Sequence, residues 1–301
     1  MTKLFRLAML VKLIALRGKF RSGGYDYSKR RRESLAYLEQ FCPDAEVYGS
    51  PWGKWAKTNH SLKALIGQAA FLKNALISKA GHLWVSDLNL CYVRNPRVAS
   101  TSLSFAMLRS QYPKLKDFDI SDEQINFLTD VNLRHDVSED EKHATFFTAV
   151  RNPFSRIVSV YREFFEGPRE DFIYEDYLFG VLTRDLSFEE FIQRLQLIPD
   201  ILKDQHLIPQ NALLRYYDRK KIYVRIFKLE DQEELSKFLS AFQLRLVSKN
   251  QSPVAYDYRR YYDNESLAII YRLYSTDFSV FGYEQEYEDL KSFLSGNPAK
   301  I

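Results

Sequence analysis

The chain has 301 residues, 46% hydrophobic and 27% charged, an ordinary soluble globular balance with room for one large domain or two small ones. Its net charge, 43 − 39 = +4, is a mild excess that suits an anionic ligand or an anionic membrane surface and does not mark a nucleic-acid-binding protein. The two cysteines, Cys42 and Cys91, stand far apart in no ligand-like spacing, which argues against a disulfide framework and a zinc site and for a reducing compartment.

Residues 5–16 are apolar but carry Arg6 and Lys12, with Lys3, Arg17, Lys19 and Arg21 on the flanks. The run is too short to span a bilayer, and Lys12 interrupts it where a signal peptide would be apolar, so the chain is expected to stay in the cytoplasm. Two readings remain open: a basic amphipathic helix lying on the acidic inner membrane face, or an ordinary helix packed on the body. Residues 1–80 as a whole are predicted to be a helical N-terminal region, broken at Gly23-Gly24 and turning near Pro43 and Pro51. Within it Leu62, Leu65, Ile66, Ala69, Leu72 and Leu76 recur at helical spacing, and Gly81 is a stop signal just beyond.

From His82 the pattern changes. Residues 89–93 form a short apolar run, Arg94-Asn95-Pro96 turns, and residues 102–109 resume helical spacing. The same order recurs in residues 144–150, Arg151-Asn152-Pro153 and residues 155–165. Residues 222–227 alternate as a third strand before a helix over 233–242. Strands separated by helices predict an α/β fold, a central parallel sheet flanked by helices, with residues 81–290 as one domain and 291–301 as a tail.

Two loops carry the chemistry. In the first, Arg97, Val98, Ala99, Ser100, Thr101 and Ser102 stand between a strand and a helix. Unpaired N–H groups at such a helix start favour an anion, the hydroxyls suit phosphate oxygens, and Arg97 adds fixed positive charge. No Gly-x-x-x-x-Gly-Lys-Ser/Thr sequence is present, so this is not an ATP-type phosphate loop, and taken alone it reads equally well as a Ser/Thr-capped helix beside a surface arginine. In the second, Arg151 falls at the carboxyl end of its strand, where open α/β sheets bind ligands, and Ser159 lies on the following helix. An arginine fork and a hydroxyl suit a second phosphate.

Pro96-Arg97-Val98-Ala99-Ser100-Thr101-Ser102 resembles the 5′-phosphosulfate loop of the Golgi-type carbohydrate sulfotransferases, the group that includes the chondroitin 4-O- and HNK-1 sulfotransferases. Val150-Arg151-Asn152-Pro153-Phe154-Ser155-Arg156-Ile157-Val158-Ser159-Val160-Tyr161 is similar, at greater length, to their 3′-phosphate segment. Shorter similarities follow in family order at Asp204-Gln205-His206-Leu207-Ile208-Pro209-Gln210, at Phe227-Lys228-Leu229-Glu230 and at residues 271–283.

The resemblance implies a P-loop-like sulfotransferase fold. It implies a PAPS-dependent enzyme, with 3′-phosphoadenylyl sulfate as sulfuryl donor, no metal, and the hydroxyl of a glycan or glycolipid as acceptor, as in polysaccharide biosynthesis. It assigns Arg97 and residues 98–102 to the 5′ end of the donor, and Arg151 and Ser159 to its 3′-phosphate. The family usually has lysine where this chain has Arg97. Arginine holds its proton, so Arg97 would stabilise the leaving phosphate by charge and hydrogen bonds alone.

The acceptor needs a general base, and histidine titrates near working pH. His206, inside the family-like segment, is the first candidate; His135, upstream of the second loop, is the next, and Glu230 the third. Arg260, in the basic-aromatic run 256–262, is a further candidate phosphate ligand, against a plain reading of that run as a helix entry with snorkelling side chains. Two rival functions stay open: a kinase-like nucleotide-dependent transferase, which would need a Gly-rich loop and a carboxylate set for Mg²⁺, and a non-catalytic protein binding membranes or anions through residues 3–32.

Overall fold

The short apolar runs bounded by turns become strands in the computed structural model of the chain, which describes residues 81–113, 115, 120–166, 181–182, 186–198, 200, 203, 205–246 and 256–296. The N-terminal region 1–80, expected to be helical, lies outside these residues, as do residues 297–301 of the expected tail. Four strands form one sheet in the order β1 (His82–Val85), β2 (Leu90–Val93), β3 (Thr145–Val150) and β4 (Val224–Lys228). β2, β3 and β4 run parallel, as expected. β1 is the departure: it pairs antiparallel with β2, Leu83 opposite Tyr92, which makes the sheet mixed. The cause is the connection. A 3-10 turn, Ser86–Leu88, and Asn89 in the left-handed region (φ 47°) reverse the chain at once, and so tight a link cannot carry out a parallel crossover.

The helices cover both faces of the sheet. Leu90, Tyr92, Phe147, Ala149 and Phe227 point to one side, where they meet Leu103 and Met107 of α1 (Ser100–Gln111) and, beyond β4, Leu235, Phe238 and Leu239 of a later helix, Gln232–Ala241. Cys91, Val93, Phe146 and Val150 point to the other. This strict alternation is the period-2 geometry of a strand with both faces buried. α1 is buried along most of its length because α2 (Asp122–Asn132) covers its outer side, Ile125 and Leu128 packing on Phe105 and Leu108. α2 starts with a reciprocal capping box between Ser121 and Gln124.

On the second face lie α3 (Pro153–Tyr161), α4 (Phe188–Leu195) and α5 (Gln210–Arg219), followed after β4 by α6 (Gln232–Ala241) on the first face. α7 (Asn264–Leu273), α8 (Ser275–Phe281) and α9 (Glu284–Ser295) return to the second. The helix expected over 155–165 starts two residues earlier and stops at Tyr161, where the backbone widens into a π-helical turn, Arg162–Glu166. Aromatic packing holds that turn, Phe165 lying 5.2 Å from Phe191 and Tyr161 5.2 Å from Phe188, ring centroid to centroid. α9 runs through residue 290 to Ser295, with Leu290 and Leu294 buried. None of the described helices is long and apolar enough to cross a membrane.

At the β1 edge a polar cluster is sealed into the core. His82 donates or accepts at Nδ1 with the Tyr217 hydroxyl at 3.0 Å, and its Nε2 lies 3.5 Å from the carboxylate of Glu141. Glu141 is fully buried and accepts from Arg134 at 2.8 Å and from the Ser138 amide at 2.6 Å. Burial alone would raise its pKa; the His82 ring and the Ser138 amide outweigh it and hold the carboxyl down at about 2. The same burial pushes the Cys91 thiol up and keeps it inert.

A depressed carboxyl stabilises the fold above its unfolded pKa and loses that stabilisation as pH falls through the folded value. The Glu141 contribution is therefore complete above about pH 4.5 and fades toward pH 2, for a total of about 3 kcal/mol. Urea midpoints measured from pH 6 to pH 2.5 should show this acid limb in the wild type. In Glu141→Gln the limb should flatten, at a lower starting stability.

Candidate functional site

Parallel strands bring their carboxyl ends to one edge of the sheet, so the connections after β2, β3 and β4 lie side by side. β2 leaves the sheet first. Its last carbonyl, Val93 O, is taken by the Thr148 hydroxyl of β3 at 2.8 Å, and Asn95 donates to Ala149 O at 2.9 Å. The loop then makes a tight crossing with two non-glycine residues in the left-handed region, Arg97 (φ 66°) and Ala99 (φ 48°). Side chains pay steric strain for that conformation, which concentrates at ligand-holding loops. Val98, between them, is buried against the sheet, so only its backbone can face a ligand. Ala99 is the N-cap of α1 and has no side chain to cap it with. Ser100 is half-buried, and Thr101 and Ser102 are buried in the first turn.

The second loop is built differently. Asn152 caps α3, its side-chain oxygen accepting from Phe154 N at 2.9 Å, so that amide is already taken. Side chains do the reaching instead. Arg151 donates to the Ser155 hydroxyl at 2.8 Å, to the Tyr256 hydroxyl at 3.1 Å and to the Arg97 carbonyl at 3.5 Å. Among the described residues no carboxylate pairs with it. Ser159 accepts from the Arg97 guanidinium at 3.1 and 3.3 Å, and Glu163 forms an ion pair with Arg97 at 3.2 Å. The structure therefore joins Arg97, Arg151 and Ser159 into one cluster between β2 and β3.

Three buried polar side chains hold the cluster in place. Gln210, at the start of α5, donates to Arg151 O at 2.8 Å and accepts from Arg151 N and from Asn95, both at 3.0 Å. Asp277 of α8 accepts the Gln210 and Asn211 amides at 2.6 and 2.8 Å; burial raises its pKa, against the pull of those two amides. Arg156 is 1% exposed and donates to three carbonyls: Pro96 at 3.3 Å, Ile208 at 3.0 Å and Gln205 at 2.9 Å. The first belongs to the Arg97 loop. The other two flank His206, whose ring meets Phe164 edge-on at 5.0 Å. Tyr274 takes Leu207 O at 2.6 Å. His206 is thus partly exposed on a turn whose neighbouring carbonyls are all tied to the body; Asp204 lies outside the described residues.

The remaining sequence candidates lie elsewhere. His135 is exposed beyond β1, next to Arg134, whose backbone bridges His82, so β1 and β2 separate it from β3. Glu230 accepts from Asn152 N at 2.9 Å and the Tyr283 hydroxyl at 2.7 Å, which ties the β4 loop to the β3 loop. Arg260 is exposed in the 3-10 turn Tyr258–Tyr261. The segment before it reaches the cluster through Tyr256, on which the Arg162 guanidinium stacks at 3.9 Å. Tyr256 and Tyr258 also line an open depression of about 600 Å³ that carries Asp257, Glu286 and Asp289 on its wall. Among the described residues no group of three or more His, Cys, Asp or Glu side chains is arranged to hold a metal ion.

The sequence model of the sulfotransferase family matches residues 82–284, from the first residue of β1 to the first of α9. The chain belongs to the sulfotransferase family. No curated protein matches it, and no solved structure does. As a sulfotransferase it is a transferase with an α/β sheet flanked by helices, and both anion-suited loops fall inside the matched span. Neither Asn95 nor Arg156 was a candidate on sequence grounds, and Gln210 was visible only as the end of a family-like segment. A polar residue that is to be buried carries no local signature, because its partners are far along the chain.

Removing the Arg156 guanidinium leaves Pro96 O, Gln205 O and Ile208 O without their donor. Arg156→Met should lower the unfolding free energy by about 3 kcal/mol or more, seen as a shift of the denaturant midpoint.

Proposed function

We propose that this sulfotransferase moves the sulfuryl group of 3′-phosphoadenylyl sulfate to a hydroxyl of a glycan acceptor by in-line displacement. The observation that carries the reading is Arg151: a partly buried guanidinium at a strand end with hydroxyl and carbonyl neighbours but no carboxylate among the described residues. A cation so placed favours an anion from outside. In this reading Arg151 and Ser159 grip the 3′-phosphate. Arg97 and the backbone of residues 98–102 hold the 5′ end. Arg97 meets the charge that grows on the leaving phosphate oxygen as the bond to sulfur breaks.

His206 is the proposed base. It takes the acceptor proton while the acceptor oxygen bonds to sulfur and the electron pair of the broken S–O bond stays on the phosphate. Its support is position: the buried Arg156 holds both the Arg97 loop and the carbonyls on either side of His206. The glycan acceptor rests on the similarity to carbohydrate sulfotransferases alone.

Calorimetric titration with 3′,5′-adenosine bisphosphate tests the donor. Wild type should bind, and Arg151→Ala should bind about 10- to 100-fold more weakly, the loss of charge-assisted hydrogen bonds. No binding by wild type would end the reading. His206→Ala should keep the bisphosphate affinity while transfer to an oligosaccharide drops by about 10²- to 10⁴-fold. Unchanged transfer would move the base elsewhere.

A further inference from the structure

The π-helical turn Arg162–Glu166 sits where α3 would otherwise continue, and such turns recur at functional sites. Most of its side chains have evident partners in the frame. Arg162 stacks on Tyr256, Phe164 meets His206, Phe165 packs on Phe191, and Glu166 accepts from the Tyr261 hydroxyl at 2.9 Å. Glu163 is the exception. It is 47% exposed and places its carboxylate 3.2 Å from Nη1 of Arg97. The other two donor nitrogens of Arg97 are on Ser159. The two arginines of the cluster thus differ: Arg97 has a carboxylate partner, while Arg151 has none among the described residues.

From this we infer that Glu163 is a positioning residue for Arg97, a placeholder anion that the donor displaces. The inference rests on the donor reading above. With no donor bound, the carboxylate balances the Arg97 charge and, together with Ser159, fixes the side chain across the loop. A phosphate offers the same fork two oxygens and more charge, so it replaces the carboxylate. The exchange is feasible because the Glu163 end of the pair is open to water: such ion pairs are weak, strong enough to orient a side chain and weak enough to yield. Glu163 therefore opposes donor binding while keeping Arg97 where the donor arrives. It also screens the anion site against ligands with too little charge to displace it.

The test is nucleotide affinity in a double-mutant cycle with Arg97. Glu163→Gln keeps the shape and removes the charge. It should bind 3′,5′-adenosine bisphosphate about 2- to 5-fold more tightly than wild type. The gain should vanish in the Arg97→Ala background. It should also be absent with adenosine 3′-monophosphate, which lacks the 5′-phosphate. A merely structural role for Glu163 predicts the opposite sign or no change. Wild-type binding with equal or weaker binding by Glu163→Gln overturns the inference and leaves the donor reading standing. A gain that persists without Arg97 overturns it too. No binding by wild type or variant overturns both.

Discussion

A guanidinium buried to 1% exposure and spread over three backbone carbonyls is the constraint on which the site depends. Taking the Arg156 charge out of water is costly, and that cost is offset only while the carbonyls stay where they are. The three belong to segments far apart in sequence: Pro96 after β2, and Gln205 and Ile208 before α5. Arg156 itself is anchored by α3, which β3 feeds directly. One side chain thus makes the positions of Arg97, Ser159 and His206 mutually dependent. Asp277 lies close enough for its charge to interact with Arg156, and it also seats the start of α5, so Gln210 belongs to the same assembly.

The two anion-suited loops solve one problem by different means. After β2 the backbone does the work: two residues in the left-handed region turn the chain sharply, and the helix that follows has an N-cap without a side chain. After β3 the helix is capped by its own asparagine, and recognition passes to side chains, Arg151 and Ser159. Backbone donors are fixed in direction, while side chains can adjust their reach. For the proposed donor, with its two charged ends, the pair would provide one rigid and one adaptable grip.

What could be read from sequence follows from which interactions are local. The parallel strands at 90–93, 145–150 and 224–228 announced themselves as apolar runs before turns, and Arg151 fell at a strand end as its spacing required. β1 went unread because four residues, His82–Val85, are too few to show alternation, and its antiparallel pairing depends on one left-handed asparagine. α2 did carry a local mark, the Ser121/Gln124 capping box, which an eye on apolar spacing passes over. The π-helical turn left no mark at all; residues 155–165 read as one continuous helix, and the widening at Arg162 comes from packing against α4 and Tyr256. In the sequence His206 ranked ahead of His135 because it lies inside the family-like segment. The topology adds a spatial separation, with β1 and β2 lying between His135 and β3.

Gln210 has a further consequence. Its amide bonds to both the N–H and the C=O of Arg151, as a neighbouring strand would, so β3 is in effect one residue longer than its ladder. With Arg156 fixing the opposite loop, the described backbone on both sides of the cluster is already in place. In the proposed reading, the groups that rearrange on donor binding are side chains, the Arg97 and Arg151 guanidinium tips and the Glu163 carboxylate. If the cluster takes the proposed donor, charge steering by Arg97 and Arg151 would help set its arrival rate.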